Sequence, residues 1–573
     1  MFSNALREYG AVPADRTPTG AAQATEPSTA DSAATRMAVD VRRFGWIRPL
    51  VGDYAFNFAN VAPLFAGDPT KPESWRDAIA RAQSTRRASA DVARILAAQQ
   101  KRRGAPPEAR ANADRLANPS SVAVVTGQQA GAFGGPLFTL LKAITTIQLA
   151  RRVSREQRAD VVPLFWVDAE DHDWEEIASC TVLDQQFQPR TVTLAPLDGA
   201  GDRPIATLTL DERIQTSLNE LAGSLGETDF TGWTVGGLRD AYRPGRGMAE
   251  AFAIWLERIL GPHGLVVFES SDPAAKPFAR DVFTLELRAP GRTAALAAEA
   301  GALLEARGHQ PQVAPQPESV SLFHLDGGRR AIRRDGDRFV FGETSRTAEQ
   351  LLQEAETSPD HFSPNVLLRP IVQDTLFPTI CYVAGPSELA YLGQLGGVYQ
   401  HFGIPMPLMY PRASATLVDS AAARFLTRYD VPLESLQPQD ESALNRLLES
   451  LLPKSVEQAM KDVQEAIHRS MQGLIDAMPA LDPTLAGAAK TTVGKMEHDL
   501  RNLHAKMIQA AKRRDETLRR QFMRAQAQVF PLGHAQERTL AVIYFLNRYG
   551  PSVVDRLLAD LPLELGKHWV LTV

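Results

Sequence analysis

The stretch Val122-Ala-Val-Val-Thr-Gly-Gln-Gln-Ala-Gly-Ala-Phe-Gly-Gly-Pro-Leu-Phe-Thr-Leu-Leu-Lys-Ala-Ile-Thr145 reads as a short buried strand, a loop with four glycines and a helix opened by Pro136. Gly127, Gly131, Gly134 and Gly135 free the backbone to turn tightly and to approach a ligand closely, because no Cβ stands in the way. Proline suits the first helical position, where its missing N–H costs nothing. The free N–H groups and positive dipole end of such a helix favour an anion, so these four glycines are the candidate nucleotide- or anion-binding positions. A strand, a glycine-rich loop and a helix N-terminus open an α/β ligand-binding domain. The loop is not a Walker A, since no Gly-Lys-Ser/Thr closes it. The spacing Gly127-x3-Gly131-x2-Gly134 is not the dinucleotide fingerprint either.

Outward from this unit, Leu137–Val153 carries apolar residues at helical spacing, and 161–167 (Val-Val-Pro-Leu-Phe-Trp-Val) is a continuous apolar run, as expected of a strand covered on both faces. Together they predict a right-handed βαβ unit. Upstream, Asp77–Gln100 reads as one Arg/Ala-rich helix. Residues 190–194 and 205–210 alternate like exposed-face strands and suggest an insertion. The α/β pattern resumes with helix Met248–Leu260 and strand Leu265–Glu269. A second insertion has one Ala/Leu helix and two hairpin signals, Asp326-Gly-Gly328 and Asp335-Gly336. Strand Thr379–Ala384, a helix over Ser387–Phe402 and strand Met406–Met409 follow. Then Val456, Met460, Val463, Ile467, Met471 and Leu474 step by threes and fours, as do residues from Val493 to Val529 beyond a Pro479–Pro483 break. That seam predicts an antiparallel coiled-coil hairpin, interrupted at Arg513-Arg-Asp515 and suited to docking a second copy.

The expected organisation is a Rossmann-like α/β parallel-sheet core in three parts (41–180, 247–289, 363–436) with two connecting insertions (181–246, β-rich, and 290–362, α+β). A C-terminal antiparallel α-helical coiled coil (437–530) and a segment packing on the core (531–573) complete it. Residues 1–40 read as a disordered tail, poor in large apolar groups. A chain of 573 residues with 44% hydrophobic and 23% charged residues is ordinary globular composition, and a net charge of −5 gives no argument for nucleic acid or an anionic membrane. Two cysteines, Cys180 and Cys381, make no disulfide framework, and no run reaches a membrane span; a cytoplasmic protein is expected.

The strongest chemical cluster follows the second strand: Asp168-Ala-Glu170-Asp171-His172-Asp173-Trp-Glu-Glu176. Ligands of open α/β sheets bind beyond the carboxyl ends of strands. His172 among carboxylates suits proton transfer near neutral pH, with Asp171, Asp173 and Glu170 as its companions; helix-capping acids are the bland alternative. A metal reading of Asp171-His172-Asp173 lacks a second histidine, so no metal ligand set is assigned. A second cluster runs from Leu368-Arg-Pro-Ile-Val-Gln373-Asp374 to Gly385-Pro-Ser-Glu388-Leu-Ala-Tyr391, with Glu388 and Tyr391 on one helix face. A third, Tyr410-Pro-Arg412-Ala-Ser414, offers Arg412 as a bidentate grip on a carboxylate or phosphate.

Taken together, several motifs resemble the BshC family of bacillithiol biosynthesis: Thr126–Thr139, Phe165-Trp166-x3-Glu170-Asp-His-Asp173, and Ser363–Pro370 with Gln373-Asp374. So do Gly385-Pro-x-Glu388-x2-Tyr391, Pro411-Arg412-x-Ser414 and Gln536-Glu-Arg538. The resemblance runs from about Pro49 to the C-terminus; the long N-terminal segment, Ala132 and Phe138 depart from the pattern. It implies a ligase that joins L-cysteine to the malate carboxylate of glucosaminyl-malate, and a homodimer through the coiled coil. Amide formation from a free carboxylate needs activation, so ATP or another nucleotide is the expected donor. No histidine lies between 121 and 150, which argues against adenylate chemistry and leaves an acyl phosphate or another donor open. Gln128, Gln129, Gln373, Asp374, Glu388, Tyr391, Arg412 and Ser414 are then the expected substrate-binding set, and His172 the base for the cysteine amine. The competing classes are a metal-dependent hydrolase at Asp171-His172-Asp173, which chelation would silence, and a non-catalytic coiled-coil scaffold.

Overall fold

The computed structural model describes residues 36–316, 319–482 and 484–573. Its centre is a five-stranded parallel sheet of β1 (Val122–Gln129), β2 (Val161–Asp168), β3 (Val266–Glu269), β4 (Thr379–Ala384) and β5 (Leu408–Pro411), in the spatial order β5-β4-β1-β2-β3. Chain order reverses between β1 and β4, so a crevice forms at the carboxyl ends of those two strands. The strands are almost wholly buried because helices cover both faces. Val122 and Val124 face one apolar cluster, Ala123 and Val125 another. Each fully buried valine or leucine there contributes about 1.5–3 kcal/mol of transfer free energy.

Helix α1 (Leu137–Gln157) links β1 to β2 and is buried along most of its length. The single helix expected over 77–100 is two, Pro72–Ser84 and Ser89–Arg103, broken at Thr85–Ala88. The 387–402 helix is likewise two: α3 (Pro386–Leu392), preceded by α2 (Arg369–Leu376), and then Gly396–Phe402.

The first insertion differs from its reading. Pro189–Thr193 pairs antiparallel with Ser179–Leu183, whereas Ile205–Thr207 is a single tight turn held by Asp171 and Ala169 carbonyls. Helices Arg213–Leu225 and Thr231–Ala241 make the rest of it mainly helical. The second insertion holds an antiparallel sheet of Ser319–Leu325, Arg329–Asp335, Arg338–Phe341 and Thr344–Thr347, with Phe362–Pro364 on its edge. Both Gly-containing turns fall where expected, with Gly327 and Gly336 at positive φ.

Of the expected tail, residues 1–35 lie outside the described residues. Its last five do not behave as a tail: Arg36–Asp40 pairs antiparallel with Lys567–Thr572, whose other edge pairs parallel with Ser414–Val418. The C-terminal helices are α4 (Lys454–Ala477), α5 (Leu485–Arg514) and α6 (Glu516–Val529). α4 and α5 form the expected hairpin, in which α4 buries no residue fully. Asp515 ends α5 and caps α6 by accepting from the Leu518 N–H, so the 493–529 seam is not one helix. Leu518, Phe522, Ala525 and Val529 leave the hairpin and bury against Phe425 and Leu436 on the body. Among the described residues no helix is long and apolar enough to cross a membrane.

Candidate active site

A cleft of about 660 Å³ opens where chain order reverses in the sheet. β1 contributes Gly127, Gln128 and Gln129; β2 contributes Asp168; Gly385 comes from the turn after β4, and Pro386 and Ser387 from the start of α3; the second insertion contributes Phe323 and Arg329. Gly127 has to be glycine because a Cβ would meet the Trp166 carbonyl of the neighbouring strand at 2.8 Å.

Three charged groups of the cleft come from helices. Lys142, fully buried on α1, donates to the Gly127 carbonyl (2.6 Å) and pairs with Glu388 at 2.5 Å. Glu388 also accepts from the Gly385 N–H (2.6 Å) and from the Tyr382 hydroxyl (3.0 Å). Burial pulls Lys142 down from the ordinary lysine range, against the opposing pull of Glu388. Burial also works to raise Glu388, and Lys142 overcomes it, so the carboxyl sits below its ordinary value. Arg369, on α2, donates to the Tyr391 hydroxyl (3.0 Å) and lies 3.7 Å from Asp168. Burial pushes the Asp168 carboxyl up to about 6; Arg369 opposes this, and the nearby charge of Asp171 adds to it.

Gln129 donates to Asp171 and to Glu176, both at 2.7 Å, and Arg329 reaches Asp171 Oδ1 and His172 Nδ1, each at 3.3 Å. This chain of contacts ties the amides of β1 to the cluster after β2. His172 itself does not line the cleft: its ring stands behind Arg329 and 6.2 Å from the Phe323 ring.

Other expected residues lie elsewhere. Glu170 is buried in an ion pair with Lys276 and lines a separate cavity. Asp173 caps the short helix Trp174–Ile177 by accepting from the Glu176 N–H, the bland alternative for this acid. Asp171, His172 and Asp173 do not bring three ligand atoms together among the described residues. Gln373 and Asp374 are fully enclosed: Asp374 accepts from Tyr399 (2.6 Å) and Gln373 (3.0 Å), and Gln373 supports Arg369 from behind. Arg412 lines the cleft, but its guanidinium is already gripped by Glu537 through two bonds of 2.7 and 2.8 Å. Burial would raise Glu537, yet Arg412, with the Ala415 N–H, brings it down to about 2. Ser414 bonds to Glu537 and His568 away from the cleft.

The glycine loop also departs from its reading. Only Gly127 of the four faces the cleft. Gly131, Gly134 and Gly135 give their N–H groups to the Gln129, Gly131 and Ala132 carbonyls, and a Cβ on Gly134, at φ +98°, would meet Trp255 at 2.8 Å. The start of α1 is covered by the C-terminal segment: Leu137 N–H donates to the Leu540 carbonyl, and Val542 N–H to that of Gly135. The Leu137 N–H at this helix end is therefore already taken, and the cleft reaches the four glycines only at Gly127 and the first turn of α1 only at Phe138.

Six further charged residues line the cleft: Asp168, Glu176, Arg369 and Arg538, which the sequence motifs contain but to which they assign no role, and Lys142 and Arg329, which sequence reasoning did not single out. Lys142 had a signal, as the one charged residue in the stretch Leu137–Ala150. Arg329 had none, because only the packing of the second insertion brings it 158 positions back to Asp171. Arg538 lines the cleft, and its side chain donates no hydrogen bond among the described residues, which makes it the cation most open to an incoming anion. Cys180 and Cys381 are buried; burial pushes the Cys180 thiol up to about 12 and Cys381 in the same direction, so neither is a nucleophile.

Two family models cover this architecture. The N-terminal Rossmann-like domain of bacillithiol biosynthesis BshC matches residues 37–413, and the C-terminal coiled-coil domain of the same family matches 415–573. A protein of Salinibacter ruber, named "Putative cysteine ligase BshC", is 35% identical over 96% of this chain and 100% of its own length. Relatives of the same name from Koribacter versatilis (34%; 84% of this chain, 89% of theirs) and Symbiobacterium thermophilum (33%; 90% and 96%) align comparably. With both parts of the chain matched in order, this protein belongs to the BshC family of bacillithiol biosynthesis.

Proposed function

We propose that the protein is a ligase that forms an amide between the L-cysteine amine and the malate carboxylate of glucosaminyl-malate. The observation that carries the reading is the cleft itself: a carboxyl held near 6 at Asp168 stands among cations, beside neutral amides at the carboxyl end of β1. Arg538 and Arg369 suit the carboxylates of a sugar acid, and Gln128 and Gln129 suit its hydroxyls. Asp168 takes the proton that the attacking amine loses; a base of this strength is ionised at neutral pH and still accepts a proton. Lys142 holds Glu388 and the Gly127 carbonyl in place, fixing the cleft floor. Tyr391 orients Arg369. A nucleotide, when bound, supplies the group that activates the carboxylate; Gly131, Gly134 and Gly135 already donate their N–H groups to loop carbonyls, so no step is assigned to that loop.

We further propose that the hairpin of α4 and α5 pairs with a second copy. Val463, Leu474, Met496 and Leu503 remain exposed on it, and a narrow apolar seam left open in one chain suits a helical partner. Sedimentation of the intact protein tests this. Two buried free thiols agree with a reducing, cytoplasmic setting. The decisive experiment incubates pure protein with glucosaminyl-malate, L-cysteine and ATP. The expected product has the mass of the amide, and the nucleotide by-product identifies the activation. A protein that forms no amide with ATP or any other nucleoside triphosphate overturns the reading.

A further inference from the structure

The second insertion brings together three side chains that neither the cleft nor the ligase reading uses. His324 comes from the strand Ser319–Leu325, Glu354 from the helix Ala348–Thr357 and His361 from the turn Pro359–His361. His324 Nε2 and His361 Nδ1 lie 2.9 and 2.8 Å from the same oxygen, Glu354 Oε1, and one ligand atom from each residue falls within 4.8 Å of the others. Among the described residues it is the one such grouping of histidine, cysteine and acidic side chains.

Two imidazoles and one carboxylate are the nitrogen and oxygen donors that zinc takes, at about 2.0–2.2 Å each, with a fourth position left over. The ligands converge with the rigidity such a site needs. The His324 ring is 6% exposed, stacked at 4.1 Å on Phe341 and edge-on at 5.3 Å to Phe362. Its second nitrogen, Nδ1, is buried with no hydrogen-bond partner. His361 and Glu354 sit at the surface, about half and a quarter exposed, so the fourth position faces solvent. His361, seven positions after Glu354, and His324, thirty positions before it, converge on one carboxylate oxygen, an arrangement that a single surface ion pair would not need.

We propose that His324, Glu354 and His361 bind a divalent transition-metal ion, zinc above all, at the rim of the second insertion. The site bears on the cleft through one strand. Side chains alternate along a strand, so Phe323 faces the cleft, under the Arg329 guanidinium at 3.9 Å, while His324 faces the metal position. A bound ion therefore fixes the strand that carries one wall of the cleft to the helix and turn behind it.

The test uses tag-free full-length protein stripped with a chelator, dialysed against Zn2+ and analysed for bound metal, with isothermal titration of Zn2+ alongside. One ion per chain is expected, with a rise in thermal midpoint on binding. His361→Ala, at a half-exposed position, should fold normally and bind more than about tenfold more weakly, since even residues that only support a metal ligand cost that much. His361→Cys should restore binding, because a thiolate is also a zinc ligand. No retained metal in the wild type, or His361→Ala binding as tightly as wild type, overturns the proposal.

Discussion

The chain carries two strand–glycine–proline–helix units in one sheet, and they end up doing different things. After β1, Gly131 to Pro136 turns inward, with the Leu137 N–H capped by Leu540 and Gly134 packed on Trp255. After β4, Gly385 to Ser387 faces the cleft, and the helix start is closed by its own Glu388, which Lys142 of the other unit holds from across the crevice. The same local signature is a structural socket in one place and a cleft wall in the other. What separates them is the C-terminal segment, pinned over the first loop by the buried Arg412–Glu537 pair. A glycine-rich turn reports what its backbone can do, and its neighbours decide what faces it.

The largest expected effect comes from breaking the pin. Glu537→Gln leaves Arg412 charged and buried without its partner, which costs on the order of 3–5 kcal/mol of unfolding free energy in a denaturant titration. A loss below about 1 kcal/mol would mean the segment is held by other contacts. The pair also sets an acid response. Glu537 is held at about 2 in the folded chain, so its stabilisation is complete above its ordinary 4.5 and disappears as pH falls from there towards 2. His568, whose burial lowers it to about 4, adds a loss that begins near 6.5, because the unfolded chain takes up that proton first. A thermal midpoint that falls progressively between pH 6.5 and 3 in the wild type is the expected record.

Next comes the open side of the comparison. Asp168→Asn should lower product formation by roughly 10²–10⁴-fold, while wild-type turnover falls as pH drops through about 6 and Asp168 becomes protonated. The sign for stability is the reverse. A carboxyl whose folded value is raised stabilises the fold only while protonated, and that contribution is lost as pH rises through about 6. Above pH 7 the asparagine variant should therefore melt no lower than wild type. An inactive variant that also melts lower would make Asp168 structural. His172→Ala, behind the cleft wall, is the control, and its larger effect would return the base to the imidazole.

Smaller effects separate the two glycine turns directly. Gly134→Ala must place a Cβ against Trp255 at a positive φ, and should lose about 1–3 kcal/mol in unfolding experiments. Gly385→Ala, at φ −73°, meets only the tip of Glu388 at 3.1 Å. Its cost and the gain from a stiffer unfolded chain are both below about 1 kcal/mol, so its midpoint should barely move. Substrate KM is where that change should register, through the Glu388–Lys142 contact. Equal midpoints for the two variants would erase the distinction drawn here.

Much of the frame was legible. The apolar runs at 122–125, 161–167 and 379–384 are strands, and Met248–Leu260 is a helix with the bounds its periodicity implies. Residues 205–210 misled because an apolar/polar pattern also arises when a turn drops its apolar side chains into a core; Ile205, Leu208 and Leu210, spaced by three and two, are all buried there. The run to Val529 misled because one apolar period continues through a change of partner, from α4 to the body at Leu518. Gln128, Gln129, Glu388, Tyr391 and Arg412 do line the cleft, because strand ends and helix starts can be read locally.

The sequence alone determined the elements and their covered faces, since apolar periodicity and the backbone preferences of glycine and proline act over a few residues. It also carried the family, because ordered motifs survive as text. Only the tertiary structure decided which charges are already neutralised: Arg412 by Glu537, Glu170 by Lys276, Asp171 by Arg329. Burial and partner distance set the strength of a charge and the ease of moving a proton, and both depend on residues more than a hundred positions apart.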